Sequence, residues 1–139
     1  MDQLLVNLKL MGWIQNDLSR LGEYCALASK ACGWTIPVNY PVFGRDAFRT
    51  ATGVHAAAII KSYKKGDREL ADMVYSGVPA GLFGLEQLVE IGPMSGKSNV
   101  IYWLEKRGIE PSEDRVTRIY DRAKQATAVL PDDEIMRLV

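Results

Sequence analysis

The stretch from Pro111 to Ala126, PSEDRVTRIYDRAKQA, carries the clearest helical pattern in the chain. Ser112 can cap the N-terminus of a helix, because its hydroxyl accepts a hydrogen bond from a free amide of the first turn. Apolar side chains recur every three or four residues with Arg and Lys opposite, a pattern typical of an amphipathic helix. The apolar stripe consists of Val116, Ile119, Tyr120, Ala123 and Ala126. The stretch therefore predicts a helix with one buried face, in a mainly α fold.

Helical spacing extends to both sides of this segment. Asp17 is a candidate N-cap for a helix that ends at Gly33, and further helices are predicted over residues 98–106 and 134–139. The opening segment, Leu4 to Met11, is apolar around most of its circumference, so it needs packing partners on more than one side. We expect it to lie centrally in the fold or against another protein surface.

The middle of the chain is less regular. Residues 35–44 hold two prolines and a glycine, which favour extended geometry and predict an ordered linker. Residues 45–65 predict two helical pieces separated at Gly53, and Gly66 restarts a short helix. Residues 85–91 alternate loosely, which predicts a short strand. The predicted fold class is mainly α with a small β element.

Composition excludes several classes of function. The 139 residues are 47% hydrophobic and carry 17 Lys and Arg against 17 Asp and Glu, so no basic surface for nucleic acid is expected. The apolar run Ala56 to Ile60 is far shorter than the roughly 20 residues of a membrane span. Cys25 and Cys32 lie seven residues apart on one predicted helix, about 10 Å along its axis, too far to form a disulfide. Free thiols and the lack of a signal peptide predict a cytoplasmic protein.

Few residues in the sequence are candidates for a catalytic or ligand-binding role. Gly92-Pro93-Met94-Ser95-Gly96-Lys97-Ser98 approaches a phosphate-binding loop, but it is one residue too short, and a helix-capping turn is the alternative. His55 is the only histidine, and small residues surround it in the sequence; it is either a structural histidine or a proton-transfer group. Tyr75 can lend a phenol to a pocket or pack as a half-buried aromatic. No metal-ligand spacing is visible.

Three segments, in this order, resemble the region that follows the barrel in the 2-isopropylmalate synthase and homocitrate synthase family. Leu4-Leu5-Val6-Asn7-Leu8-Lys9-Leu10 is similar to the last barrel helix. Asn39-Tyr40-Pro41-Val42-Phe43-Gly44, followed by Thr52-Gly53-Val54-His55, is similar to the segment after the barrel. Ile91-Gly92-Pro93-Met94-Ser95-Gly96-Lys97 is similar to the family's G-x-x-S-G-[KR] turn.

The resemblance implies part of an acyltransferase that condenses acetyl-CoA with a 2-keto acid, as in leucine and related amino-acid biosynthesis. His55 matches the histidine that this region contributes to proton handling at acetyl-CoA, and Tyr75 falls where some members place a tyrosine over the substrate. The family's divalent metal lies on a TIM barrel, which is absent here because a barrel takes ~250 residues. Thr50-Ala51-Thr52-Gly53 departs from the family's His-Glu-Ser-Gly run and lacks its carboxylate.

We therefore interpret the chain as helical post-barrel subdomains of a condensing synthase. Residues 1–36 are predicted to form the last barrel-type helix with a helical linker subdomain, and residues 37–139 a subdomain that completes the active site and dimerises. The expected partner is a TIM-barrel subunit or domain, in a homodimer or hetero-oligomer, and the chain alone is not expected to be catalytic. Two alternatives stay open: a non-catalytic interaction module and, least favoured, a small nucleotide-binding protein.

Overall fold

The computed structural model of the protein describes residues 1–139, of which 51% are helical. Seven α-helices, one 3-10 turn and a two-stranded parallel sheet make up the regular structure. Their bounds are α1 Asp2–Leu10, α2 Leu21–Cys32, β1 Arg49–Thr50, α3 Gly53–Lys64, α4 Arg68–Met73, the 3-10 turn Ala80–Phe83, β2 Leu88–Val89, α5 Lys97–Lys106, α6 Glu113–Gln125 and α7 Asp132–Met136. The predicted fold class, mainly α with a small β element, is confirmed. No helix combines the length and apolar character that crossing a bilayer requires.

The chain folds into two compact units. The first consists of residues 1–48 and 76–86, and the second of residues 49–75 and 87–139. The predicted linker has no helix or strand, but it is part of the first unit because Val42 is buried in that unit's core and Phe43 packs against it. The functional roles given to residues 1–36 and 37–139 stay a prediction.

The first unit has a small core between α1, α2 and the 3-10 turn. Its buried residues are Val6, Leu18, Leu21, Val42 and Phe83. The 3-10 turn ends at Gly84, whose φ of +70° is left-handed and whose missing Cβ would lie 2.2 Å from the Ser19 carbonyl oxygen. Only glycine fits this position, because any other side chain would meet backbone atoms there.

The second unit contains the sheet and α3 to α7. Strands β1 and β2 pair in parallel, with Arg49 opposite Leu88 and Thr50 opposite Val89. Helix α5 packs against α3 and α6. One buried cluster joins α3, α4 and β2; a larger one joins α5, α6 and α7 and consists of Ile91, Val100, Trp103, Leu104, Val116, Ile119, Ala123, Leu130 and Ile135.

Helix α6 forms where the apolar period of residues 111–126 predicts it. Ser112 caps α6, since its Oγ accepts a hydrogen bond from the Arg115 amide at 3.5 Å. Helix α5 begins one residue before the predicted 98–106 segment, and α2 ends at Gly33 in a left-handed conformation. Local sequence signals therefore fix these helix ends well.

Three local predictions were wrong. Asp17 does not cap α2, which begins at Leu21; its carboxylate instead accepts a hydrogen bond from the Ser19 amide at 2.8 Å. Residues 45–52 are not helical, because Phe48 adopts a left-handed φ of +60° and the chain then enters β1. The strand predicted over 85–91 shrinks to Leu88–Val89, because only these two residues pair with β1.

Candidate active site

His55 lies at the start of α3, on the surface of the second unit. It is the third residue of the helix, which begins at Gly53 after Thr52 in an extended conformation. Its side chain is exposed, whereas the next residue, Ala56, is fully buried in the core. The helix therefore anchors the backbone beside His55 while the imidazole faces outward.

Tyr75 lies against His55. The two rings stack with their centroids 4.2 Å apart and an interplanar angle of 21°. Tyr75 follows α4 and has a φ of +56°, a left-handed conformation that costs a residue with a side chain about 1–2 kcal/mol. Its side chain is 63% exposed, so burial does not offset this cost. Strained residues of this kind cluster at functional sites.

The stack leaves the imidazole chemically available. Tyr75 covers one face of the His55 ring, whereas the nitrogen lone pair and the N–H bond of an imidazole lie in the ring plane. A neutral imidazole can donate at one nitrogen and accept at the other. The imidazole can therefore exchange a proton at its edge while Tyr75 lies against its face. The catalytic role of either residue stays a prediction.

In the loop of residues 92–98, side chains of the loop and of α5 occupy two of the backbone amides. The Gly92 amide donates to Ser95 Oγ at 2.9 Å, and the Gly96 amide donates to Asn99 Oδ1 at 3.2 Å. A phosphate-binding loop needs such amides free to surround its ligand. The loop is thus a capped turn into α5, which agrees with the alternative given for this motif.

The loop also receives a cation from α6. Lys124 Nζ donates to the Pro93 carbonyl at 2.8 Å and to the Ser95 carbonyl at 2.7 Å. Lys97, which a phosphate-binding loop would direct at its ligand, lies 5.9 Å from the centre of the Tyr120 ring on α6. The carbonyl groups of the loop therefore hold a lysine of this chain.

The first unit contains a separate cavity of about 280 Å³. The surface of the cavity is mostly apolar. The residues that line it are Asp2, Tyr24, Cys25, Ala28, Ser29, Cys32, Trp34, Ile36 and Tyr40. Burial raises the pKa of the Asp2 carboxyl, but hydrogen bonds from Gln3 and from the Tyr40 hydroxyl outweigh it and leave the pKa below its ordinary value. Burial raises the pKa of the Cys25 thiol. This cavity contains neither His55 nor Tyr75.

No three His, Cys, Asp or Glu side chains converge in a way that can hold a metal ion. Cys25 is buried and Cys32 is exposed, both as free thiols. The divalent metal that the resemblance implies is therefore not assigned to residues of this chain.

Ser95 is a buried polar residue near the site that the sequence does not predict as part of it. It is 2% exposed, and its hydroxyl donates to the Ala51 carbonyl at 2.7 Å, just before the helix that carries His55. The signal was a serine within the turn that resembles the family motif. A short local motif cannot reveal a contact partner 44 residues away.

Comparison with known proteins gives consistent results. The chain is 30% identical over 96 residues to a homocitrate synthase of Pyrococcus horikoshii, covering 69% of this chain and 24% of that protein. It is 26% identical over 113 residues to an (R)-citramalate synthase of Aquifex aeolicus, covering 80% of this chain and 20% of that protein. It is 26% identical over 114 residues to a 2-isopropylmalate synthase of Acetivibrio thermocellus, covering 81% of this chain and 20% of that protein.

These proteins are much longer than the chain, which spans only about a fifth to a quarter of the length of the curated relatives it matches. No sequence profile of a protein family matches it. All three relatives are nevertheless named as synthases, and each alignment covers more than two thirds of this chain. The chain therefore belongs to the family of homocitrate, (R)-citramalate and 2-isopropylmalate synthases, as a part of its C-terminal region.

Proposed function

We propose that this chain completes the active site of a synthase that condenses acetyl-CoA with a 2-keto acid. In this reaction a base removes a proton from the acetyl methyl group, and the resulting enolate attacks the ketone carbon of the keto acid. The ketone oxygen is protonated to a hydroxyl group, and water then cleaves the thioester and releases CoA. We assign His55 to proton transfer at acetyl-CoA and Tyr75 to holding the substrate beside it.

The main support for this proposal is the exposed pair of stacked rings formed by His55 and Tyr75. A histidine that serves only the fold is usually hydrogen-bonded within it, whereas His55 lies at the surface and Tyr75 orients its ring. Proton transfer near neutral pH needs an accessible group of this kind. The names of the relatives, all synthases, support the same reaction class.

The rest of the active site comes from a TIM-barrel subunit or domain, which carries the divalent metal and the keto acid. The assembled enzyme is a dimer or a hetero-oligomer that acts in amino-acid biosynthesis, with leucine biosynthesis as one such pathway. We place it in the cytoplasm, where free thiols such as those of Cys25 and Cys32 persist.

Reconstitution tests the proposal. The purified chain is mixed with its cognate barrel, acetyl-CoA and a panel of 2-keto acids, and thiol release is followed with a thiol-reactive dye. We expect release that depends on both substrates in the mixture and only background release from either protein alone. A mixture no faster than the barrel alone would contradict the proposal.

A second candidate function is a non-catalytic interaction or dimerisation module. Helix α1 favours it, because it buries only Val6 and leaves Leu4 55% and Leu10 40% exposed. Met11, just after the helix, is 54% exposed, and Trp13 is 74% exposed. Contiguous apolar patches on a protein surface mark interaction sites, and these four exposed side chains lie within one ten-residue stretch of the chain.

Substitution of this surface tests the second candidate. We expect the wild-type chain to assemble as its concentration rises and the double variant Leu4→Glu/Met11→Glu to remain monomeric, with an unchanged melting temperature, since both side chains are exposed. Size-exclusion chromatography with light scattering measures this. Leu5→Glu is the matched contrast: Leu5 packs against the core of the first unit, so this variant should also unfold it. A wild-type chain that stays monomeric at every concentration argues against the candidate.

A further inference from the structure

The direction of the His55 ring depends on where α3 begins. His55 is exposed, and its ring is carried by the backbone of the first helical turn and stacks on Tyr75. A shift of that turn by a fraction of an ångström would move the ring by a similar amount. Proton transfer is sensitive to such a shift, because donor and acceptor must meet within about 2.6–3.2 Å.

Two hydrogen bonds of opposite direction fix the start of α3 to the loop of residues 92–98. Ser95 Oγ donates to the Ala51 carbonyl at 2.7 Å. The Gly53 amide donates to the Met94 carbonyl at 2.9 Å. The two bonds lie on either side of Thr52, the residue that precedes α3. The loop of residues 92–98 therefore determines both the position and the direction of the first turn of α3.

The start of α3 and the loop of residues 92–98 approach each other closely. A Cβ on Gly53 would lie 2.9 Å from the Gly96 amide nitrogen, so residue 53 has no room for a side chain. Ser95 itself is held on several sides: its Oγ accepts from the Gly92 amide at 2.9 Å, and its carbonyl accepts from Lys124 Nζ at 2.7 Å. The loop is therefore a rigid support for the helix start.

A second buried side chain, that of Asn99, also holds the loop of residues 92–98 in place. Asn99, which is 0% exposed, donates through Nδ2 to the Glu90 carbonyl at 3.0 Å and accepts from the Gly96 amide at 3.2 Å. Glu90 follows β2, and its amide donates to the Thr50 carbonyl at 2.8 Å. The support thus runs from the sheet through Asn99 and Ser95 to α3.

We propose that Ser95 is a positioning residue for His55. Its buried hydroxyl links the Ala51 carbonyl to the loop and so sets the place of the His55 imidazole. The geometric part of this inference concerns the chain alone; its importance for catalysis rests on the proposed function of His55.

The single histidine makes the geometry measurable by NMR. His55 supplies the only imidazole signals of the chain, and the Tyr75 ring stacked on it should shift them through its ring current. We expect Ser95→Ala to move these signals toward those of the Tyr75→Ala variant, which defines complete loss of the stack. Ser95→Thr retains the hydroxyl and should restore most of the wild-type shift.

Ser62→Ala is the matched control. Ser62 is a buried serine of α3, the helix that carries His55. Its Oγ donates to the Ala58 carbonyl oxygen at 3.1 Å, within the same helix. Its loss should change stability and leave the His55 signals in place. Unchanged signals in Ser95→Ala, or equal movement in Ser62→Ala, would overturn the inference. Should Ser95→Ala fail to fold, Ser95→Cys fills the same space with a weaker donor and should give an intermediate shift; wild-type signals in it would overturn the inference equally.

Kinetics of the reconstituted enzyme separate this inference from the proposed function. Ser95→Ala should lower kcat by about tenfold to a hundredfold with a much smaller change in KM, because misplacement of a catalytic group by ~1 Å can cost 10²-fold. If the His55 signals move but both His55→Ala and Ser95→Ala leave the rate unchanged, the positioning geometry stands and the proposed function fails. If His55→Ala abolishes activity and Ser95→Ala does not reduce kcat, the proposed function stands and the role of Ser95 fails.

Discussion

Replacing His55 by alanine is expected to reduce condensation in the reconstituted enzyme by about 10²–10⁴-fold, the usual contribution of a positioned general acid or base. The fold should be unaffected, because the imidazole is exposed and contributes little to the core. The measurement is the rate of CoA release at saturating acetyl-CoA and keto acid, together with the melting temperature of the variant chain.

Two further variants make this prediction specific. Tyr75→Phe retains the ring that stacks on His55 and removes only the hydroxyl, so it separates orientation of the imidazole from chemistry at the phenol. Lys61→Ala changes an exposed residue on the same helix and should leave the rate unchanged. A His55→Ala enzyme as fast as Lys61→Ala would show that the histidine is structural.

Gly84→Ala is expected to destabilise the first unit by more than about 4 kcal/mol, an exceptional loss for one methyl group. Two effects combine at this position: the φ of +70° disfavours any side chain, and the new Cβ would lie 2.2 Å from the Ser19 carbonyl oxygen. The clash is with backbone, so no side-chain rotation can relieve it. The 3-10 turn and the core around Phe83 must move instead.

Two other glycines of the same unit separate these effects. Gly33 has a φ of +64° but open space around its Cβ position, so Gly33→Ala should cost only about 1–2 kcal/mol. Gly77 has neither constraint, and Gly77→Ala should lie within about 0.5 kcal/mol of the wild type. Urea unfolding followed by circular dichroism and tryptophan fluorescence gives the free energies of unfolding. Equal losses for Gly84→Ala and Gly33→Ala would contradict the clash.

Much of the helical structure could be predicted because its signals are local. The apolar period of α6 and its Ser112 cap act over three or four residues, and Gly33 ends α2 through its own backbone conformation. The failures have a common cause. Strands β1 and β2 have two residues each, too short for a recognisable pattern, and they form only because the fold brings them together.

The candidate site was predicted as separate residues and not as an arrangement. The sequence identifies His55 as the only histidine and Tyr75 as a candidate pocket phenol, and the family resemblance implies their roles. That their rings stack could not be read from the chain, because it depends on how α4 packs against α3 and on the left-handed backbone of Tyr75. Ser95 escaped notice for the same reason.

The mainly helical fold class, the ends of the best-capped helices and the likeness to the condensing synthases can be predicted from the sequence, since each depends on patterns within a few residues or on the order of motifs. The outward position of His55 beside Tyr75, and the hydrogen bond from Ser95 to Ala51, 44 residues away, come from the packing of the folded chain. Periodicity and capping act between near neighbours, whereas a site is assembled from distant segments by the packing of the core.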